Sequence, residues 1–397
     1  MDVDDLVIGS GISALGVVLG LLQNPERRVG VVTGPAAGEF AYYDARRVVP
    51  CAYLGEGGLG THWHGVIPTG WTDSIDRSAF ESMFARFYPH AARSSRFGCA
   101  GTFVPWRAIR PAQELRRLAR LRPAARLRLI SGVAANIRFD EKGVDVEVDG
   151  RPLRAARGWI AAGALHTPAL VSALSRSAVR GCVSDHVFCY VGQVEGQGRP
   201  ELLRSRDGIY YPARYDAART ALYTERPAAF AYRRLDYGIE QRAVFGLPTG
   251  SAVTKIMRRL SPGLLVEAMY NRFGLFGGTR LRSIYAQVRV PDAYDHCGGD
   301  TPLAARVQNI RRATDAARSA QPFADLKPSQ RPALYIPGIH LHHSLDLEAL
   351  RRDGINAHGS PLQVVDASIL DEIGPNHHSF AMMLASHRQG LSAGLAR

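Results

Sequence analysis

The chain opens on an apolar run, Val3-Asp4-Asp5-Leu6-Val7-Ile8, with the pattern of a buried parallel strand. Gly9-Ser10-Gly11-Ile12-Ser13-Ala14 follows at once, then an apolar helix to about Leu22 and a second strand over Arg28 to Thr33. Residues 127 to 148 alternate as two strands around Glu141-Lys142-Gly143, a hairpin. Gly158 to Ala164 reads as a strand ending in small residues, and Thr167-Pro168 opens a helix. Residues 186 to 290 hold separate β-rich runs, such as His186 to Val194 and Leu264 to Tyr270, which predict a second sheet. An amphipathic helix is expected over 303 to 319. Gln363-Val364-Val365-Asp366 is one more short buried strand, and Ser379 to Leu395 is the last helix. Strands and helices in this order predict an α/β fold with a Rossmann-like first unit.

The first turn carries the clearest chemistry. Gly9 and Gly11 let the backbone approach a pyrophosphate, the helix behind them offers free N–H groups, and Ala14 takes the small position where helix meets strand. The alternative is a tight βα turn with no ligand. The second strand ends in Thr33-Gly34, where such units usually carry the acid that binds ribose hydroxyls. The Thr33 hydroxyl is a weaker substitute, so affinity must come from elsewhere or the cofactor must be tethered.

Four blocks together resemble the glucose–methanol–choline (GMC) oxidoreductases. They are the glycine turn; Gly57-Gly58-Leu59-Gly60-Thr61-His62-Trp63; Ala161 to Leu170 with Ser184-Asp185-His186; and Val364-Val365-Asp366-Ala367-Ser368-Ile369-Leu370 with the helix after it. The resemblance implies bound FAD and a discontinuous FAD-binding domain over roughly 1–70, 125–185 and 335–397. Residues 71–124 and 186–334 would then form a smaller α+β substrate-binding domain. It puts Ala162 and Gly163 under the FAD, and Asp366 and Ala367 near its pyrophosphate and ring. His62 stands where some members anchor the flavin covalently; the alternative is a histidine that packs on or hydrogen-bonds it. The chain is shorter than is usual for the family, so no substrate class carries over.

The family oxidises alcohols with histidine as the proton acceptor, a role its near-neutral pKa suits. Seven of the thirteen histidines follow Pro337. The resemblance puts His377 at the second catalytic position, with Asn376 as runner-up. The first position falls on His342, since Leu341-His342-His343 follows Pro337-Gly338 as the resemblance implies; spacing back from Gly359 would put it on His340 instead. In an extended segment these two share one face and His343 points away. The family's Gly-Thr after this histidine is replaced by Ser344-Leu345-Asp346, which leaves room for a changed reaction. Three classes follow: an alcohol oxidase or dehydrogenase, a redox-neutral flavoenzyme such as an epimerase, and a non-catalytic binding protein.

Composition narrows this little. The chain has 397 residues, 46% hydrophobic and 21% charged, an ordinary globular balance. No apolar run reaches the roughly 18 residues of a spanning helix. The first strand begins almost at Met1 with no signal-like stretch, so a cytoplasmic protein is expected. Five scattered cysteines without CxxC spacing fit a reducing compartment. The net charge of +13 is mostly arginine, clustered at Arg116, Arg117, Arg120, Arg122, Arg126 and Arg128. Without interleaved aromatics the cluster reads as a solvated helix face rather than a nucleic-acid site. His340, His342, His377 and His378 with Asp346 could ligate a metal, but no HExxH-like spacing supports one. The expected partners are a small-molecule substrate and an electron acceptor, oxygen or another.

Overall fold

The computed structural model describes residues 2–36, 38–42, 50–63, 65–69, 77–94, 101–122, 126–195, 203–212, 215–217, 220–223, 281–295, 335–337, 340–371 and 378–395. The runs at Leu264 to Tyr270 and 303 to 319 lie outside these residues.

The chain start folds as its pattern predicts: β1 (Asp2–Ile8), helix α1 (Ile12–Leu21) and β2 (Val29–Thr33). β1 pairs in parallel with β2 on one side and with β10 (Arg151–Ile160) on the other. Beyond β2 lies the edge strand β7 (Leu127–Ser131), also parallel. The outer edge of β10 changes partner along its length. Its first half pairs antiparallel with β9 (Gly143–Val148), which pairs with β8 (Ala134–Asp140); its last three residues pair in parallel with β18 (Leu362–Val364). The C-terminal strand is thereby seated beside the strand that precedes Ala161.

Two expectations need correction here. Residues 127 to 148 form three strands, not two. Gly132, at φ 151°, breaks the run, and the first piece joins β2 instead of the hairpin. Likewise β10 begins at Arg151, because Asp149-Gly150 (φ 48° and 74°) forms a two-residue hairpin loop between β9 and β10. Asp-Gly with both residues at positive φ is the favoured tight hairpin loop.

The main sheet is buried on both faces. Leu6, Ile8, Val32 and Ile160 pack to one side with Val171 of α5 (Thr167–Val171) and Leu350 of α6 (Leu347–Arg352). Val7, Val31 and Trp159 pack to the other with α1 and the last helix, α7 (Ser379–Leu395). Helix α1 is apolar all round because it lies between sheet and α7. The two helices run parallel and touch backbone to backbone. A Cβ added at Gly16 would lie 2.2 Å from the Met383 carbonyl oxygen, at Gly20 2.3 Å from that of His387, and at Gly390 2.4 Å from that of Val17. Glycines on both helices thus set how closely they approach.

The C-terminal end of α7 is fastened to the sheet by polar contacts. Arg27 and Arg157 both donate to the Ala393 carbonyl, and Asn24 donates to that of Gly394. Both arginines also pair with Asp5, which is buried in β1 and accepts a hydrogen bond from the Trp159 indole. Cations at a helix C-terminus complement its dipole.

The remaining described elements include α2 (Arg77–Phe87), α3 (Pro89–Ala92), α4 (Pro111–Arg120) and two further sheets. One joins β5 (Ile67–Pro68), β6 (Gly101–Pro105), β12 (Leu203–Arg204) and β13 (Gly208–Pro212). The other joins β11 (Cys182–Glu195), β14 (Tyr215–Ala217), β15 (Thr220–Tyr223), β16 (Leu281–Asp295) and β17 (Tyr335–Pro337). A two-stranded ribbon, β3 (Glu39–Tyr42) with β4 (Pro50–Leu54), completes the set. Phe80 and Phe84 of α2 meet Phe380 with ring centroids 5.0 and 6.2 Å apart, which packs the first turn of α7 against α2.

Candidate functional site

Five parallel strands end at one place. Gly9 after β1, Thr33 of β2, Gly132 after β7, Ala161 and Ala162 after β10, and Asp366 after β18 all line a cavity of about 700 Å³. Open α/β sheets bind ligands beyond the carboxyl ends of their strands, and this volume falls within the roughly 300–1,000 Å³ usual for small-ligand sites.

Helices α1 and α7 aim their N-termini there. Gly11 caps α1 without a side-chain hydrogen bond, and no acid stands in its first turn. His378 and Ser379 bring the start of α7 to the same wall, again without an acid in the first turn. Two positive dipole ends and their free N–H groups therefore face a cavity that no described Lys or Arg lines.

The loops fit closely because they lack side chains. A Cβ at Gly9 (φ 115°) would lie 2.3 Å from the Ala161 carbonyl oxygen, so only glycine lets this turn cross the end of β10. Gly163 (φ 88°) has open space where its Cβ would be. The Ser10 hydroxyl accepts the Gly57 N–H at 2.8 Å, joining the first turn to the second glycine block. That block runs through Gly57 (φ 88°) into a 3-10 turn over Gly58–His62; Thr61 Oγ1 donates to the Glu56 carbonyl at 3.0 Å. Arg110 closes the turn by donating to the carbonyls of Thr61 and Trp63. Gly58 lines the cavity, whereas Ala14 is fully buried beneath it. His62 is the last residue of the turn.

Asp366 holds the floor together. One carboxylate oxygen accepts the Gly163 N–H at 2.7 Å and the Thr167 hydroxyl at 2.6 Å; the other accepts the Ser368 N–H at 2.9 Å. A carboxylate answered by three donors is stable where burial would otherwise penalise it. Beside it, Ala367 lines the cavity and accepts the His343 N–H at 3.0 Å. At the Thr33 end the wall is apolar. Leu54 and Val133 line it and remain 39% and 65% exposed, unusual for large apolar side chains.

Of the candidate histidines, His340 lines the cavity and packs edge-on against His378, ring centroids 4.3 Å apart. His342 stands behind it. It is 0% exposed, its Nδ1 lies 2.9 Å from the His340 carbonyl oxygen, and its backbone exchanges two hydrogen bonds with Ser184. The chain is not extended through His343 (φ 56°), whose ring lies 3.3 Å from Asp371. Asn376 and His377 lie outside the described residues. Among the described residues, no three His, Cys, Asp or Glu side chains are grouped to hold a metal ion, and no helix is long and apolar enough to cross a membrane.

Three residues that build the site were assigned no role there from the sequence, although two of them, Asp185 and Thr167, stand in its motif blocks. Asp185, 0% exposed, accepts the His340 N–H at 2.6 Å and fixes where that histidine enters the cavity wall. Thr167 read as a helix opener, yet its hydroxyl binds Asp366. Arg110 carried no motif signal; its role depends on carbonyls 47 and 49 residues earlier.

No family model and no curated protein sequence matches the chain. Among solved structures it is similar to pyridoxine 4-oxidase from Mesorbium loti, with a TM-score of 0.46, 11% identity and 100% of each chain covered. It is similar also to formate oxidase, with a TM-score of 0.45 and 12% identity over 99% of this chain and 98% of that one. A fungal aryl-alcohol oxidase gives 0.46 and 12% over 98% of each. Likeness at these scores does not transfer chemistry, and the residues of the cavity carry the reading that follows.

Proposed function

We propose that the chain is an FAD-dependent oxidoreductase of GMC type that oxidises an alcohol. The single observation that carries this reading is the convergence of five strand ends and two helix N-termini on one glycine-walled cavity that no described lysine or arginine lines. Such a cradle suits a dinucleotide, whose pyrophosphate takes backbone N–H groups and dipole ends in place of cations. Gly9, Ser10 and Gly11 would hold the pyrophosphate. Leu54 and Val133 would flank the adenine, and Thr33 would meet the ribose. Gly163 and Ala367 would underlie the ring. The FAD-binding domain would comprise roughly 1–70, 125–185 and 335–397, with the intervening stretches forming the substrate domain.

Bound FAD would supply the acceptor for the hydride that leaves the carbinol carbon. The protein's own part is to take the hydroxyl proton. His340 is the residue proposed for this, since it lines the cavity beside His378. Nδ1 of each ring is buried, so the proton would be taken at Nε2 of His340. Asp185 holds the His340 backbone, and His378, at the head of α7, stands ready to bond the developing alkoxide; His377 and Asn376 adjoin it in sequence. The alcohol leaves as the carbonyl compound, and an oxidant, oxygen or another acceptor, must then collect the two electrons.

The test is anaerobic mixing of the flavin-loaded protein with a panel of primary and secondary alcohols. Bleaching by at least one of them is the expected result. Turnover without net bleaching would replace alcohol oxidation with a redox-neutral reaction.

A further inference from the structure

We propose that the groove between helix α4 and the edge strand β7 is a docking site for an extended acidic polypeptide segment of a partner protein, which adds as a strand beside β7. The groove has a volume of about 970 Å³; α4 lines it with Gln113, Arg116, Ala119 and Arg120, and β7 with Leu127, Arg128 and Leu129. It shares no residue with the cavity described above, and the proposal does not rest on the cofactor reading.

Three observations converge. First, β7 ends the main sheet, and among the described residues it pairs with β2 alone. A bare strand edge is a template for an added strand. Second, the groove has an apolar floor and a cationic rim. Leu127 is 2% exposed, and Leu129 and Ala119 are half-buried, whereas Arg116, Arg120 and Arg128 are exposed.

Third, the charge here is out of balance. Arg116, Arg120 and Arg128 line the groove, and no acidic residue stands among its described lining residues. Glu114 answers Arg117 at 2.9 Å and Glu56 answers Arg116 at 3.2 Å. Arg120, Arg122 and Arg128 have no carboxylate partner among the described residues. Burial, and then the charges of Arg117 and Arg126, hold the Arg122 guanidinium below the ordinary arginine range; burial and then Arg117 and Arg122 do the same to Arg86. Arginines that crowd one another gain most from an incoming carboxylate.

The rim alone would fit any polyanion. A single nucleic-acid strand needs aromatic platforms on which its bases stack, and no aromatic side chain among the described residues lines this groove. A bilayer favours a protruding apolar surface, whereas here the apolar residues form the floor. A strand with alternating acidic and apolar side chains satisfies edge, floor and rim together.

The experiment measures binding of a fluorescent, extended peptide of alternating Glu and Val to the full chain by anisotropy. Saturable binding is expected, weaker in raised salt. Arg120→Glu with Arg128→Glu should weaken it at least about tenfold, with an unchanged circular dichroism spectrum because both side chains are exposed. Arg93→Glu, exposed just after α3, should change it less than about twofold. N-methylation of alternate peptide bonds should also abolish binding, since it removes the donors of strand pairing. Equal binding of the N-methylated peptide, or no saturable binding at all, would overturn the proposal. So would a thymidylate oligomer or phosphatidylserine vesicles that bind more tightly than the peptide and lose that binding in the same double variant.

Discussion

His340 and His342 are two residues apart and occupy different places. His340 enters the cavity wall, with its backbone held by Asp185. His342 is sealed behind it against the Ser184 backbone. His340→Ala should therefore slow anaerobic flavin reduction by about 10²–10⁴-fold while FAD binding stays near wild type. Stopped-flow reduction and a flavin titration separate the two effects. Reduction at the wild-type rate in a fully loaded His340→Ala protein would remove it as the proton acceptor. Asp366→Ala leaves three donors unanswered in the cavity floor, and an expected loss of about 3 kcal/mol can be read by denaturant unfolding. An unchanged midpoint would show that the floor does not depend on that carboxylate. Acid precipitation decides between the two roles open to His62. Colour that stays with the pellet and vanishes from it in His62→Ala marks a covalent link; colour in the wild-type supernatant marks a histidine that packs on or hydrogen-bonds the flavin and leaves FAD binding untouched. Sequence made the glycines legible because their type is what the backbone requires. It favoured His342 over His340, because the positive φ at His343 and the Asp185 contact, which set His340 in the cavity wall, are tertiary facts.

The seam between α1 and α7 is where element-scale packing is most exacting. Alanine normally gains about 1 kcal/mol over glycine inside a helix. At Gly20 the sign should reverse, with a loss of about 1–3 kcal/mol, because the new Cβ would meet the backbone of α7. Gly394→Ala is the control from the same seam. Its Cβ would meet nothing closer than 3.7 Å, so it should be neutral or slightly stabilising. Equal effects at the two sites would contradict the seam. His387 lies on this contact with its Nδ1 buried, and burial, then Arg86, push its pKa below the usual 6.5. The unfolded chain therefore takes up the proton first as pH falls below about 6.5, and folded stability declines over that window. His387→Gln should flatten this part of a pH series of melting temperatures; an unaltered slope would mean that other groups set it. The first and last helices were legible in the sequence, and Ser379–Leu395 matches its expected bounds, whereas α2, α3 and α6 were not anticipated. The Asp149-Gly150 loop was equally readable and was passed over, since alternation alone does not mark where one strand ends and the next begins.

At the scale of the whole molecule, the first and last segments of the chain build one sheet and one cavity, and that is what sequence motifs at both ends foretold. Residues 71–124 carried no motif and 186–334 only β-rich runs that predicted a second sheet, because strands there pair through contacts far apart in sequence, such as β11 with β16. The central claim is that the cavity binds FAD. The most direct measurement is the visible absorbance of the purified chain, as isolated and after incubation with added FAD and removal of the excess. The account predicts a yellow protein with about one flavin per chain in at least one of these states. A colourless chain that remains folded and retains no added FAD would contradict it.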